Sequence, residues 1–101
     1  MKHRLVLYKV KPEAVAENRR LIEAVFKELP ARAPEGLSYM VIELEDGNFV
    51  HLKSDAAEGA FELGGLPAFQ AYSRGIGKRC EVPPQSHEGR LIGRYRVAFN
   101  R

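Results

Sequence analysis

The sequence predicts one α+β domain in which four antiparallel strands form a single sheet and two helices cover one of its faces. Three observations carry this. The 101 residues are the length of one domain. β-rich runs and helical stripes follow one another in the order strand, helix, strand, strand, helix, strand. Asp46-Gly47 sits between the two middle strands, and this pair favours a hairpin because both central residues of a type I′ turn need positive φ.

His3 to Val10 reads as the first strand: it is β-branched and aromatic, and it ends before Pro12. Pro12 suits the first turn of a helix, where its missing N–H costs nothing. Glu13 and Glu17 then lie near the positive end of the helix dipole. Val15, Ile22, Val25, Phe26 and Leu29 share one helical stripe, with Arg19, Arg20, Glu23 and Lys27 mostly outside it. Pro30 and Pro34 are expected to stop this helix. Leu37 to Glu45 and Asn48 to Lys53 are the second and third strands. With a two-residue turn His51 lies opposite Ile42; one more loop residue turns His51 to the other face.

Ser54-Asp55 followed by Glu58 reads as a helix start with a capping carboxylate. Gly64-Gly65 breaks that helix and Pro67 restarts it. Phe69, Tyr72 and Ile76 form its apolar stripe, and Arg74, Lys78 and Arg79 complement its C-terminus. Val82-Pro83-Pro84 reads as a stiff extended connector, Gln85 to Gly89 as a polar loop, and Arg90 to Phe99 as the last strand. The β-α-β-β-α-β order over residues 1–101 is that of a ferredoxin-like domain.

Hydrophobic residues make up 45% of the chain and charged residues 29%, a balance that excludes wholesale disorder. Cys80 is the single cysteine, so no intrachain disulfide forms; it reads as a small, half-buried thiol at a helix end. Leu5 to Leu7 is too short for a signal segment or a membrane span, so the expectation is a cytoplasmic protein without membrane contact. A net charge of +3 is mild. It helps an anion approach, yet the strands lack the aromatic-glycine pattern of RNA-binding modules of this topology, so no nucleic acid is expected. No two histidines have the spacing of a metal pair, and no Gly-rich phosphate loop or Ser-His-Asp set occurs. No metal site is expected.

Both faces of the sheet are apolar. Leu5 and Leu7 oppose Val6, Tyr8 and Val10 on the first strand; Tyr39 and Val41 oppose Met40, Ile42 and Leu44 on the second. The helices can cover only one face, so a second copy of the chain is the natural cover for the other, and a homodimer is expected.

Four residues are candidates for chemistry. Asn18 interrupts the apolar stripe of the first helix, where an amide must find a partner or face a cavity. His51 is mid-strand and carries an imidazole that can titrate near neutrality. Tyr72 lies on the stripe of the second helix and offers a phenol to a pocket wall, as Tyr39 and Tyr95 do from strands. Arg94 shares a strand face with Arg96 and can hold an anion. Each also has a structural reading: a stripe-edge amide, a hydrogen-bonded imidazole at a dimer seam, an aromatic core, a solvated basic face.

Leu66-Pro67-Ala68-Phe69-Gln70-Ala71-Tyr72, then Gly75-Ile76-Gly77-Lys78-Arg79-Cys80, Pro83-Pro84 and Gly93-Arg94-Tyr95 resemble the second helix, loop and last strand of antibiotic biosynthesis monooxygenase-like domains of the dimeric α+β barrel superfamily. The resemblance spans nearly the whole chain in element order. It implies a dimeric barrel and a pocket for a small aromatic ligand. Members of that family oxygenate phenols without a cofactor, degrade haem, or have no known activity. The chain contains no Trp, whereas the haem degraders use an Asn, His and Trp set. Two readings stand. One is a cofactor-independent monooxygenase of a phenol or quinol, with Asn18, Tyr72 and Arg94 orienting it and His51 taking its proton. The other is a non-catalytic dimeric binding or structural protein.

Overall fold

The computed structural model describes residues 2–32, 35–55 and 63–97. Its elements are β1 (Lys2–Val10), α1 (Val15–Arg32), β2 (Leu37–Glu43), β3 (Asn48–Asp55), α2 (Pro67–Arg74), α3 (Ile76–Arg79) and β4 (Cys80–Gly89), with 3₁₀ turns at Pro12–Ala14 and Leu63–Gly65. The sheet order is β2-β3-β1-β4 and every pairing is antiparallel. Together with the flanking helices this is the ferredoxin-like arrangement expected from the element order.

The hairpin loop decides what faces the helices. Leu44 N–H donates to the Asn48 carbonyl (2.8 Å) and Gly47 N–H to the Leu44 carbonyl (3.3 Å), so the loop is Glu45-Asp46-Gly47, three residues rather than two. Gly47 takes φ +87°, the left-handed end of such a loop. Asp46 accepts from the Asn48 N–H at 3.0 Å, which holds its carboxyl below the usual range. The register that results pairs His51 with Val41 and Val6, and Phe49 with Glu43 and Tyr8. Strand alternation then puts Tyr8, Val10, Phe49 and His51 together on the helix-covered face, where all four are buried. A Cβ at Gly47 would also meet the Val10 carbonyl at 3.1 Å. Gly47→Ala is expected to cost about 1–2 kcal/mol of stability, read as a lower urea midpoint.

One core cluster joins Tyr8, Val10, Ile22, Val25, Phe49, Tyr72 and Cys80; a second, smaller one joins Leu37, Leu63 and Leu66. Thus α1 and α2 lay their stripes on the same side of the sheet. On the opposite side the register lines up Met40, Leu52 and Leu5 in one row and Ile42, Val50 and Leu7 in the next. Leu7, Met40, Ile42 and Leu52 are each 37–46% exposed there.

Several boundaries differ from those expected. Pro30 lies inside α1, which continues to Arg32. Its missing N–H forfeits one bond in the last turn, and a helix end tolerates that loss better than a helix middle. Pro34 lies outside the described residues. Ser54 and Asp55 extend β3 instead of capping a helix; Glu58 lies outside the described residues. The largest change is at the last strand. β4 is Cys80–Gly89, so the segment expected as connector and loop is the strand, and Arg90 to Val97 have no regular structure; Phe99 lies outside the described residues. Pro83 and Pro84 are compatible with a strand here because β4 is a sheet edge and the pairing with β1 shifts register between Gln85 and Val82, opposite Leu7 and Lys9.

Candidate functional site

Beneath the helices, side chains from six elements form one polar chain. Asn18 comes from α1, Tyr8 from β1, His51 from β3, Tyr72 from α2 and Arg79 from α3; Tyr39 of β2 closes it. Asn18 is 0% exposed, Tyr8 1%, His51 5%, Tyr72 6% and Arg79 6%. Arg79 Nε donates to Asn18 Oδ1 at 2.9 Å, and its Nη2 donates to the Tyr72 carbonyl. Asn18 Nδ2 donates to the Tyr8 hydroxyl at 3.1 Å, and the Tyr72 hydroxyl donates to the same oxygen at 2.8 Å. The Tyr8 hydroxyl is 2.8 Å from His51 Nε2, and the Tyr39 hydroxyl is 2.7 Å from His51 Nδ1.

Counting protons orients the chain. The Tyr8 oxygen already accepts two hydrogen bonds, which uses both lone pairs, so its own proton goes to Nε2. A neutral imidazole with Nε2 accepting carries its proton on Nδ1 and donates it to Tyr39. The direction is therefore Arg79 to Asn18 to Tyr8 to His51 to Tyr39, with Tyr72 joining at Tyr8 by its shorter contact and lying 3.4 Å from His51 Nε2. Electrostatics agree that His51 is neutral: burial depresses its pKa to about 4. Burial likewise pushes the phenols of Tyr8, Tyr39 and Tyr72 above their ordinary value, so none of them ionises near neutrality.

Arg79 is the charge in this chain. Its guanidinium also lies over the Tyr72 ring, 5.5 Å from the centroid. None of the ion pairs among the described residues involves it. Room for the guanidinium comes from Gly75, where a Cβ would stand 3.1 Å from Arg79 Nη1. Instead of complementing a helix end at the surface, as expected, this cation is inside.

Side chains with almost no exposure have no water-sized space beside them, so Asn18 and Tyr8 do not themselves line a ligand cavity. Space lies one layer away. A crevice of about 400 Å³ between α1 and the β2–β3 hairpin is lined by Ile22, Phe26, Val41 and Phe49. Its aromatic lining touches the polar chain directly: Phe49 stacks on Tyr8 with centroids 5.6 Å apart and planes at 8°, and Phe26 stacks on Tyr39 at 5.1 Å and 13°. Arg19 and Glu43 bridge its rim with two 2.7 Å hydrogen bonds, which keep the Glu43 carboxyl below its usual range. Both groups are exposed, and a pair in that setting contributes little to stability. A second hollow, of about 490 Å³, lies on the other sheet face among Leu5, Met40, Leu52, Leu91 and Val97.

Of the four sequence candidates, Asn18, His51 and Tyr72 meet in the polar chain. Arg94 does not: it is exposed on the irregular segment that follows β4, because the strand expected to carry it ends at Gly89. Tyr8 and Arg79 were missed. Tyr8 shares its strand parity with core residues and reads as plain core; the signal for Arg79 was Gly75, one helical turn before it. Among the described residues no group of three or more His, Cys, Asp or Glu could hold a metal ion, and no helix is long and apolar enough to cross a membrane.

No family model matches the chain, and no curated protein matches it by sequence. Solved structures do. The protein Rv0793 from Mycobacterium tuberculosis superposes with a TM-score of 0.73 at 22% identity, over 92% of this chain and 96% of that one. An antibiotic biosynthesis monooxygenase gives 0.74 at 13% identity, over 92% and 100%. PA3566 from Pseudomonas aeruginosa gives 0.71 at 16% identity, over 91% and 94%. Over most of its length, then, the chain has the fold of the antibiotic-biosynthesis-monooxygenase-like structures.

Proposed function

We propose that the protein is a homodimer that binds a small phenol or quinol in the crevice between α1 and the β2–β3 hairpin and oxygenates it without a cofactor. The observation that carries this is the crevice itself: a space of about 400 Å³ where the half-buried Phe26 stacks on Tyr39, the end of the buried polar chain. Likeness in fold to an antibiotic biosynthesis monooxygenase supports the reaction class. Phe26 would offer a ring to a flat ligand, and Arg19, Glu23, Lys27 and Glu43 border the same space with charged groups. The reaction needs no added reductant: the electron-rich ring takes one oxygen atom, and the other leaves as water with two hydrogens from the substrate. His51 is not the base expected from the sequence, because its Nε2 is engaged by Tyr8 and its basicity is low. In this reading a substrate that ionises readily in water loses its proton before it binds.

Oxygen consumption with a panel of hydroquinones and naphthols tests the reaction. Uptake of one O₂ per quinone formed, lost when Phe26→Glu puts a charge in the crevice, is the expected result; no uptake above buffer with any member refutes it. A second reading, a binding protein without catalysis, is favoured by the closed packing around Asn18 and Tyr8. Ligand binding without oxygen uptake would select it.

The dimer rests on the two apolar rows of the open sheet face. Sedimentation should give twice the 11.4 kDa chain mass, and Leu52→Glu, which puts a charge in the middle of the face, should give the monomer.

A further inference from the structure

We propose that Tyr39 is the ligand-binding end of the polar chain, its hydroxyl donating to the oxygen of an aryloxide held in the crevice. The aryloxide rests on the ligand reading above; the spare proton of Tyr39 does not.

Four contacts join the amide, the phenols and the imidazole: Asn18 Nδ2 to Tyr8, Tyr72 to Tyr8, Tyr8 to His51 Nε2, and Tyr39 to His51 Nδ1. Five protons compete for these contacts, one from the amide, three from the hydroxyls and one from the neutral ring. One proton is therefore left over in every arrangement. With Nδ1 protonated it stays on Tyr39, and this holds also where Tyr72, at 3.4 Å, takes the place of Tyr8 at Nε2. With Nε2 protonated it is stranded on Tyr8 or Tyr72, which are 1% and 6% exposed, and an unmade bond in so closed a place is costly. Tyr39 is half-buried, and His51 is its hydroxyl's single partner among the described residues. Burial holds the Tyr39 phenol above its ordinary pKa, so the proton stays on it.

The strand register brings this hydroxyl to the crevice. Tyr39 pairs with Lys53, and Val41 pairs with His51 on the same sheet face. A bond to His51 therefore leans the Tyr39 hydroxyl along β2 toward Val41. Val41 lines the crevice, and so does Phe26, whose ring stacks on Tyr39. A ligand ring beside Phe26 and Val41 puts its own oxygen within reach of the spare proton.

The chain also selects for charge. Each donor from Arg79 onward points away from that cation and toward Tyr39, and hydrogen bonds in series polarise one another. An ionised acceptor makes the stronger bond, so an aryloxide is held in preference to a neutral phenol. The other charges nearby are balanced. Arg19 and Lys27 border the crevice together with Glu23 and Glu43, and Arg19 is bonded to Glu43. Lys53, across from Tyr39, lies 3.3 Å from Asp55. No proton is transferred: Tyr39 binds and orients.

The test uses the whole protein and two probes of one shape. Para-nitrophenol shows its ionisation in its absorbance; para-nitrotoluene has no acidic proton. The wild-type protein should bind the phenolate about tenfold more tightly than the neutral phenol, so the bound probe ionises about one pH unit lower than in water. Tyr39→Phe should abolish that shift and leave the affinity for para-nitrotoluene unchanged. Arg19→Gln with Glu43→Gln, which removes the rim pair together, should leave the shift in place. A wild-type shift of zero, a shift that survives Tyr39→Phe, or one lost with the rim pair would overturn the proposal. The wild-type and rim-pair arms keep it falsifiable if Tyr39→Phe folds poorly. Binding of para-nitrotoluene without any shift for para-nitrophenol would sink the role of Tyr39 and leave the crevice as a ligand site. Binding of neither probe would sink the ligand reading, and this inference with it.

Discussion

Asn18→Leu should destabilise the protein by about 3 kcal/mol, although leucine is the more hydrophobic residue and nearly the same size. Asn18 is the link between the buried cation and the phenols: it accepts from Arg79 Nε at 2.9 Å and donates to Tyr8 at 3.1 Å. A leucine there would leave the Nε proton of Arg79 unpaired at a site where the asparagine is 0% exposed, and a bond to a buried charge is among the costlier ones to break. For a domain of this length, roughly 3 kcal/mol lowers Tm by roughly 12 °C or more. The companion variant separates this mechanism from simple loss of packing. Arg79→Met removes the charge, so Asn18→Leu with Arg79→Met should be more stable than Asn18→Leu alone. Strictly additive losses in thermal melts of the four proteins would mean that Arg79 and Asn18 are not coupled.

Between pH 6.5 and about 4.5 the protein should lose stability as His51 is drawn toward protonation. Its folded pKa is depressed from 6.5 to about 4 by burial. In that window the unfolded chain binds a proton that the folded one does not, so unfolding stability rises with pH and falls on acidification. The full difference, present once the pH is below both values, is roughly 3 kcal/mol. Glu43 and Asp46 have carboxyls held below their usual values and add their own loss only at lower pH. Urea melts across the window should therefore show a slope that His51→Gln flattens. An unchanged slope in that variant would place the titration elsewhere.

Much of the fold was legible because its signals are local. Alternation in Val6, Tyr8 and Val10, the Asp46-Gly47 turn and the α1 stripe each act over a few residues. The hairpin register was not, because the same turn pair serves a two-residue loop and a three-residue loop, and only the bonds of Leu44, Gly47 and Asn48 separate the two. The last strand was misplaced for a related reason. Pro83-Pro84 forbids a central strand but not an edge strand, and whether a strand lies at the edge is a property of the whole sheet. That error carried Arg94 into the candidate set.

Three members of the polar chain, Asn18, His51 and Tyr72, could be picked out because each puts hydrogen-bonding groups into an otherwise apolar stripe or strand. Arg79 could not. A cation in the last turn of a helix satisfies the ordinary surface rule, and apart from Gly75 one turn earlier nothing local distinguishes it from Lys78 beside it. Only the space left by Gly75, together with an amide on the facing helix, brings it inside.

The ligand crevice is the centre of the functional account, and backbone amide NMR during a titration with a naphthohydroquinone under argon tests it most directly. Saturable shifts are expected at Ile22, Phe26, Val41 and Phe49, with smaller ones at Tyr8 and His51 behind them. Saturable shifts confined to Leu5, Met40 and Leu52 on the other sheet face, or no saturable shifts at all, would contradict it.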